Sequence, residues 1–195
     1  ATIVYKARRN NQPAGCMLSH ANLVATMSAM DAALRLNEQD VHFSFAPLSH
    51  ICERSMMLYA IKKGMAIGFY SGAYTKTFAD MQVLQPTVLV GSAVIFQSLY
   101  SKFQQIMRGW NPIYKWFFWF AYKRKSQLFG EGDKRYRSPL WDFVVFRRIA
   151  RIMGGNLRYI VLSDGILEPA VHEFVQTCFC CPAVHGLSFP ETAGM

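Results

Sequence analysis

A chain of 195 residues that is 52% hydrophobic and 17% charged holds enough apolar side chain to bury a core, and it is too apolar to remain disordered. The net charge is +9, yet residues 102–151 carry 12 of the 21 basic residues against only Glu131, Asp133 and Asp142, so this segment supplies the whole excess and the rest of the chain balances. The five cysteines (Cys16, Cys52, Cys178, Cys180 and Cys181) are odd in number and sit in apolar surroundings, which argues against a secreted disulfide framework and for a reducing compartment.

From the first residue, Ala1 to Tyr5 is apolar and β-branched, as a strand covered on both faces is. Lys6 to Gly15 follows as a polar turn with Asn10-Asn11 and Pro13-Ala14-Gly15. Ser19 is then placed to cap a helix whose apolar positions are Leu23, Met27, Met30 and Leu34. Such a turn can aim backbone N–H groups at an anion, but there is no glycine between Tyr5 and Gly15, and Lys6, Arg8 and Arg9 stand where an open cradle needs small residues.

Val41 to Ala46 reads as a buried strand broken at Pro47, with Ser49 able to cap a helix over Ile51 to Lys63 that Gly64 ends. Met65 to Phe69 is a third strand and Thr77 to Leu84 a short helix. Thr87 to Val90 is a fourth strand, running through Gly91-Ser92 into a long helix from Ala93. From Pro139 a helix points Trp141, Val145, Ile149 and Ile152 inward and Arg147, Arg148 and Arg151 outward, ending at Gly154-Gly155. Leu157 to Leu162, Glu168 to Thr177 and Pro182 to His185 complete the series as strand, helix and strand. Strands alternating with helices predict an α/β fold, a mainly parallel sheet with helices on both faces. Its functional loops lie beyond the carboxyl ends of the strands: Lys6 to Gly15, Pro47 to His50, Ser163 to Leu167 and Gly186 to Thr192.

Residues 106–140 read as a basic, aromatic insertion in this rhythm. Trp116 to Tyr122 is far shorter than a bilayer-spanning helix, which needs about 20 apolar residues. Two readings stay open for it: an interfacial helix that meets an anionic membrane surface through residues 110–151, or ordinary core packing. No nucleic-acid module accompanies the basic residues, so no nucleic-acid partner is expected. Cys178 and Cys181, with His172 and His185 nearby, leave a zinc or redox pair open beside the plainer reading of buried thiols.

The strings FSFAPLSHICER (from Phe43), GFYSG (from Gly68), LQPTVLVG (from Leu84), SPLWDFVVFRRI (from Ser138), GGNLRYIVLS (to Ser163) and CFCCPAVHG (from Cys178), in this order, resemble the long-chain fatty acyl-CoA synthetases of the AMP-binding, adenylate-forming superfamily. The resemblance implies that residues 1–195 are part of the large N-terminal adenylation domain. It also implies a two-step reaction: ATP and a fatty acid give an acyl-adenylate with Mg²⁺, and CoA then displaces AMP to give acyl-CoA. His50 falls where the family places a histidine beside the acyl carboxylate, and Glu191 where it places its Mg²⁺ ligand. The nucleotide side carries over as Tyr5, Pro13 and Gly15 in the phosphate loop, Ser163 and Gly165 in the adenine-side motif, and Thr192 beside Glu191.

This sequence departs from the family pattern at those motifs. Where the family loop runs Tyr-Thr-Ser-Gly-Thr-Thr-Gly-x-Pro-Lys-Gly, the chain has Tyr5 to Gly15 as YKARRNNQPAG, without the hydroxyls, the lysine or the inner glycines. Ser163 to Leu167 is one residue short of Ser-Gly-Ala-Ala-Pro-Leu, and Leu187 to Glu191 replaces Tyr-Gly-Leu-Thr-Glu with only Glu191 retained. Three functions are therefore weighed: an acyl-CoA ligase with reduced or absent nucleotide chemistry, an inactive membrane-associated or interaction module, and a binder of fatty acid or acyl-CoA. The resemblance implies a place on the cytoplasmic face of an intracellular membrane, the endoplasmic reticulum foremost.

Overall fold

The structure, a computed structural model, describes residues 2–6, 12–130, 138–163, 165–186 and 189–194. Arg8, Arg9, Asn10 and Asn11 of the first turn, Glu131 and Asp133, Asp164, and Leu187 and Ser188 lie outside the described residues. Five parallel strands form the central sheet: β3 (Val41–Ser44), β4 (Ala66–Phe69), β5 (Val88–Gly91), β6 (Tyr159–Leu162) and β7 (Ala183–His185), in the order β4-β3-β5-β6-β7. The register pairs Leu89 with Ile160 and Val90 with Val161, so each pair shares a face. Helices α1 (His20–Ala33) and α2 (Ile51–Lys63) belong to one face, where Met30, Leu34, Met56, Tyr59, Val88, Val90 and Val161 form a core. The other face packs Leu89, Ile160 and Leu162 against α4 (Ala93–Arg108), α5 (Pro112–Gly130) and α8 (Pro169–Phe179), while α3 (Thr77–Leu84) adds Met81 to that core. The expected parallel, doubly covered sheet is what the chain forms.

Two expected helix caps hold at residue level. Ser19 caps α1, accepting from the Asn22 backbone while the Asn22 side chain accepts from the Ser19 backbone, a reciprocal capping box. Gly64 closes α2 in a left-handed conformation, φ 70°. At the amino-terminal edge of the sheet, buried Asp40 accepts from Thr87 and takes both its oxygens to Arg158 at 2.7 Å, which ties β3, β5 and β6 together.

The N-terminus differs from the sequence reading. Rather than entering a helix directly from a doubly covered strand, β1 (Thr2–Lys6) folds back on a second strand, β2 (Ala14–Leu18), in an antiparallel hairpin separate from the main sheet. Its pleat buries Val4 and Leu18 and leaves Ile3, Tyr5 and Met17 exposed. The reason is the short period-two pattern of Ala14 to Leu18, which a reading aimed at the following helix passes over. The cap of α2 also moves: His50, not Ser49, is its N-cap residue.

The helix expected from Pro139 is compound: α6 (Pro139–Trp141), a π stretch Asp142–Phe146, α7 (Arg147–Ala150) and a 3-10 turn Arg151–Met153. The π stretch admits one extra residue per turn. It lets Phe146 enter the core while Asp142 accepts from buried Lys125 of α5. α5 itself is aromatic on two faces: Phe118 and Ala121 are buried, while Ile113, Tyr114, Trp116 and Trp119 are exposed. Among the described residues no helix is long and apolar enough to cross a membrane.

Candidate active site at the strand switch point

From β3 the chain crosses outward to β4 and then returns past β3 to β5, so connections leave β3 and β5 in opposite directions. The carboxyl ends of such a strand pair are splayed by their diverging connections, and a crevice opens there. A cavity of about 190 Å³ occupies that position, walled by Phe45, Val90 and Ile95 and edged by His50, Glu53, Tyr74, Ser92 and Ser163. Two helices begin at its rim, α2 after His50 and α4 after Ser92, and neither N-cap side chain bonds its own helix. Two helix N-termini on an apolar cavity make an environment that favours a small anion such as a carboxylate.

Within the wall lies a pair that sequence reasoning missed. His42 of β3 and Glu53 of α2 are 0% and 1% exposed, with Nε2 to Oε1 at 3.0 Å. His42 Nδ1 and Glu53 Oε2 have no partner among the described residues. A histidine in an apolar strand and a carboxylate in the first turn of the next helix were the only sequence signals, and neither marks a pair until the fold brings them together. Tyr74 stacks on Tyr70 with centroids 5.2 Å apart, and their hydrogen bond holds the Tyr70 phenol above its ordinary pKa.

The other candidate residues gather on the opposite side of the first turn of α2. The 3-10 turn Pro190–Thr192 is followed by Ala193, whose carbonyl accepts from buried Ser55 at 2.6 Å. Next comes Gly194 at φ 80°, where a Cβ would meet the Cys52 backbone at 3.2 Å. Val4, Leu18, Leu23, Ile51 and Ala193 form a small core that joins this turn to the hairpin, α1 and α2. Here Lys6 donates to Glu191, a contact between two half-exposed side chains. Tyr5 lies across the ladder from Gly15, where a Cβ would be 3.3 Å from its ring. Pro13 is exposed ahead of β2, and the Thr192 hydroxyl donates to the Phe189 carbonyl at 3.0 Å.

The fold thus brings His50 and Ser163 to one cavity and Tyr5, Gly15, Glu191 and Thr192 to the neighbouring hairpin side, while Gly165, at φ 80°, lies against Ala93 at the start of α4. A divalent cation does not fit the hairpin side as it stands. Mg²⁺ is held through carboxylates and substrate phosphates. Here the Glu191 carboxylate already faces an ammonium, and no group of three metal-binding side chains occurs among the described residues. At the far edge of the sheet Cys178 and Cys181 are buried, and His172, stacked on His185, is engaged by the Ala183 carbonyl at 2.9 Å.

Comparison with known proteins gives one family match: AMP-binding enzyme, over residues 12–195. Fatty acyl-CoA synthetase A of Dictyostelium discoideum is 31% identical over 194 residues, 99% of this chain and 29% of that protein. Long chain acyl-CoA synthetase 1 of Arabidopsis thaliana is 31% identical over 199 residues, covering 99% and 30%. Long-chain-fatty-acid–CoA ligase 1 of Cavia porcellus is 32% identical over 200 residues, covering 100% and 28%. The chain therefore spans less than a third of the length of these relatives. Among solved structures, o-succinylbenzoate CoA synthetase of Bacillus subtilis in complex with its acyl-adenylate superposes with a TM-score of 0.62 at 15% identity, over 98% of this chain and 30% of that one. The inhibitor-bound N-terminal domain of FACL13 from Mycobacterium tuberculosis gives 0.62 at 12% identity, over 98% and 37%.

Proposed function

The chain belongs to the AMP-binding enzyme family, and we propose that the protein it represents activates a long-chain fatty acid to acyl-CoA through an acyl-adenylate, with this chain supplying the carboxylate end of the site and an impaired nucleotide side. The observation that carries the reading is the switch-point cavity, where two helix N-termini and His50 converge on an apolar wall. In adenylation a carboxylate oxygen attacks the α-phosphorus of ATP and pyrophosphate leaves; the CoA thiol then attacks the acyl carbon and AMP leaves. Phe45, Val90 and Ile95 exclude water from the carboxylate, so the helix dipoles act at low dielectric. His50, at the N-cap of α2, holds and orients the carboxylate, and Ser163 offers a hydroxyl at the same rim.

The impairment follows from the hairpin side. Losing two charge-assisted donors, at about 1.5–3 kcal/mol each, lowers nucleotide affinity or rate by roughly two to four orders of magnitude. The fit of Mg²⁺ is poor while Lys6 occupies Glu191. The test is paired. Calorimetric titration with oleate is expected to show binding that His50→Ala weakens about tenfold, with no such change for oleyl alcohol, which lacks the carboxylate. Fatty-acid-dependent pyrophosphate exchange is expected to stay at background. Oleate binding that is indifferent to His50 overturns the site assignment, and exchange above background overturns the impairment.

A specific surface favours a second element of this reading, contact with an anionic membrane; that the membrane is the cytoplasmic face of the endoplasmic reticulum is proposed on the family resemblance alone. Exposed Ile113, Trp116 and Trp119 of α5 and Leu140, Phe143 and Val144 of the compound helix leave apolar side chains at the surface. Arg124 lies over Phe120 and Arg147 over Phe143, so cations sit among these aromatics. Basic residues near an anionic surface contribute about 1 kcal/mol each. Sedimentation with phosphatidylserine vesicles is expected to exceed that with neutral vesicles and to fall with salt; equal binding to both, or none to either, removes the electrostatic account.

A further inference from the structure

Away from the switch-point cavity, a buried lysine sits against a thiol. Lys125 of α5 is 0% exposed, and its ammonium donates to Asp142, to the Thr177 carbonyl at 2.8 Å and to Cys180 Sγ at 2.9 Å, while lying 4.7 Å from the Phe146 ring centre. Cys180 caps α8 in a left-handed conformation, φ 59°, unusual for a residue with a Cβ. Besides the lysine, its thiol is hydrogen-bonded to the Asp142 carboxylate and makes long contacts of 3.8 and 3.9 Å to the Thr177 and Cys178 carbonyls. The two neighbouring thiols, Cys178 and Cys181, are sealed in the core. Cys180 differs from them because it lines an open cleft of about 820 Å³, together with Asp142, Arg147, Arg151, Leu157 and Phe179, on the amino-terminal side of the sheet. A small oxidant thus has a path to this sulfur, and a primary amine waits beside it.

We propose that Lys125 and Cys180 form an oxidative modification site, in which peroxide joins Nζ and Sγ through one oxygen as an N–O–S bridge. In the first step hydrogen peroxide oxidises the thiol to a sulfenic acid and is reduced to water. The lysine passes its extra proton to the Asp142 carboxylate it already contacts. In the second step another peroxide takes two electrons from the nitrogen, the sulfenic oxygen becomes bonded to nitrogen, and two waters leave. Sulfur and nitrogen each give up two electrons, and two peroxides take them. The product links α5 to α8 covalently and removes a buried positive charge.

Burial pushes the Cys180 thiol up to about 11, against the lowering pull of Lys125, while Asp142 adds to the rise. The titratable and charged groups around it are Lys125 of α5, Asp142 of the π stretch, Cys178 of its own helix, and Arg147 and Arg151 lining the cleft. Because the thiolate is the reacting form, the first step is slow at neutral pH and speeds up about tenfold per pH unit until it nears the thiol pKa.

The experiment exposes the chain to hydrogen peroxide at pH 9 and reads intact mass and tryptic peptides. The bridge adds about 14 Da, a sulfenic acid about 16 Da, and a disulfide removes about 2 Da. The expected result is the 14 Da species, loss of tryptic cleavage after Lys125, one cross-linked peptide pair containing Lys125 and Cys180, and reversal of all three by a thiol reductant. Lys125→Arg and Cys180→Ser are expected to abolish it, and Cys178→Ser to leave it. A linear Lys125 peptide beside an oxidised Cys180, or a disulfide between Cys178 and Cys181, overturns the proposal. The wild-type peptide map decides this even where a variant fails to fold.

Discussion

The first turn of α2 separates two regions that treat the same scaffold differently. On one side is the switch-point cavity, built from backbone ends, two helix N-termini and an apolar wall. On the other is the hairpin side, where Lys6 meets Glu191 beside a turn docked on α2 through Ala193 and Gly194. The cavity depends on strand order and core packing, which tolerate many side-chain changes as long as volume and pattern are kept. The hairpin side depends on particular polar side chains, and replacing an exposed one such as Lys6 changes the local chemistry more than the fold. Substitutions on the two sides should therefore separate stability from ligand chemistry.

The largest stability effect belongs to the cavity wall. His42→Leu leaves the Glu53 carboxylate buried with neither oxygen partnered, and about 3 kcal/mol of stability is expected to go with it, a fall in Tm of roughly 10 °C. The double replacement His42→Leu with Glu53→Leu is expected to regain most of that loss. A thermal melt in which the single variant is as stable as the parent would show that the pair is not buried as described.

A Gly194→Ala substitution probes the junction between the two regions. The residue is left-handed, and its new Cβ would press on the Cys52 backbone at 3.2 Å, so about 1–2 kcal/mol is expected to be lost. Denaturant midpoints measure it. A neutral result would mean that the Glu191 turn is not docked on α2 and that the two regions are independent.

On the hairpin side, Lys6→Ala is expected to change stability by less than about 0.5 kcal/mol, since the pair is exposed on both partners. It should nevertheless strengthen Mg²⁺-dependent ATP binding severalfold by removing the ammonium that faces the Glu191 carboxylate, as calorimetry with and without Mg²⁺ would reveal. Unchanged nucleotide affinity would place the defect wholly in the loop backbone.

The smallest effect concerns pH at the far strand edge. Burial, and next the neighbouring His172, lower the pKa of His185. The unfolded chain therefore binds this proton more readily than the folded one. The stability this group contributes is present above its ordinary pKa of about 6.5 and is lost as pH falls below it. His185→Gln should flatten the pH 5 to 7 portion of the stability profile slightly, and a profile unchanged by the substitution would leave the acid loss to other groups.

The amino-acid order alone determined the parallel, doubly covered sheet, because alternating buried strands and amphipathic helices leave few other ways to hide their apolar faces. It also determined local stops such as Ser19 and Gly64, whose effects act within one turn of helix, and it placed His50 and Glu191 as candidates because both stand in contiguous strings of recognisable order. The tertiary structure alone decided what depends on residues distant in the chain. It paired β1 with β2 rather than with the main sheet, brought Lys6 to Glu191 across 185 positions, closed His42 on Glu53, and set Lys125 against Cys180. The physical reason is range: periodicity and capping are written in neighbours a few residues apart, whereas an ion pair or a buried dyad exists only once packing has fixed which distant side chains share a desolvated space.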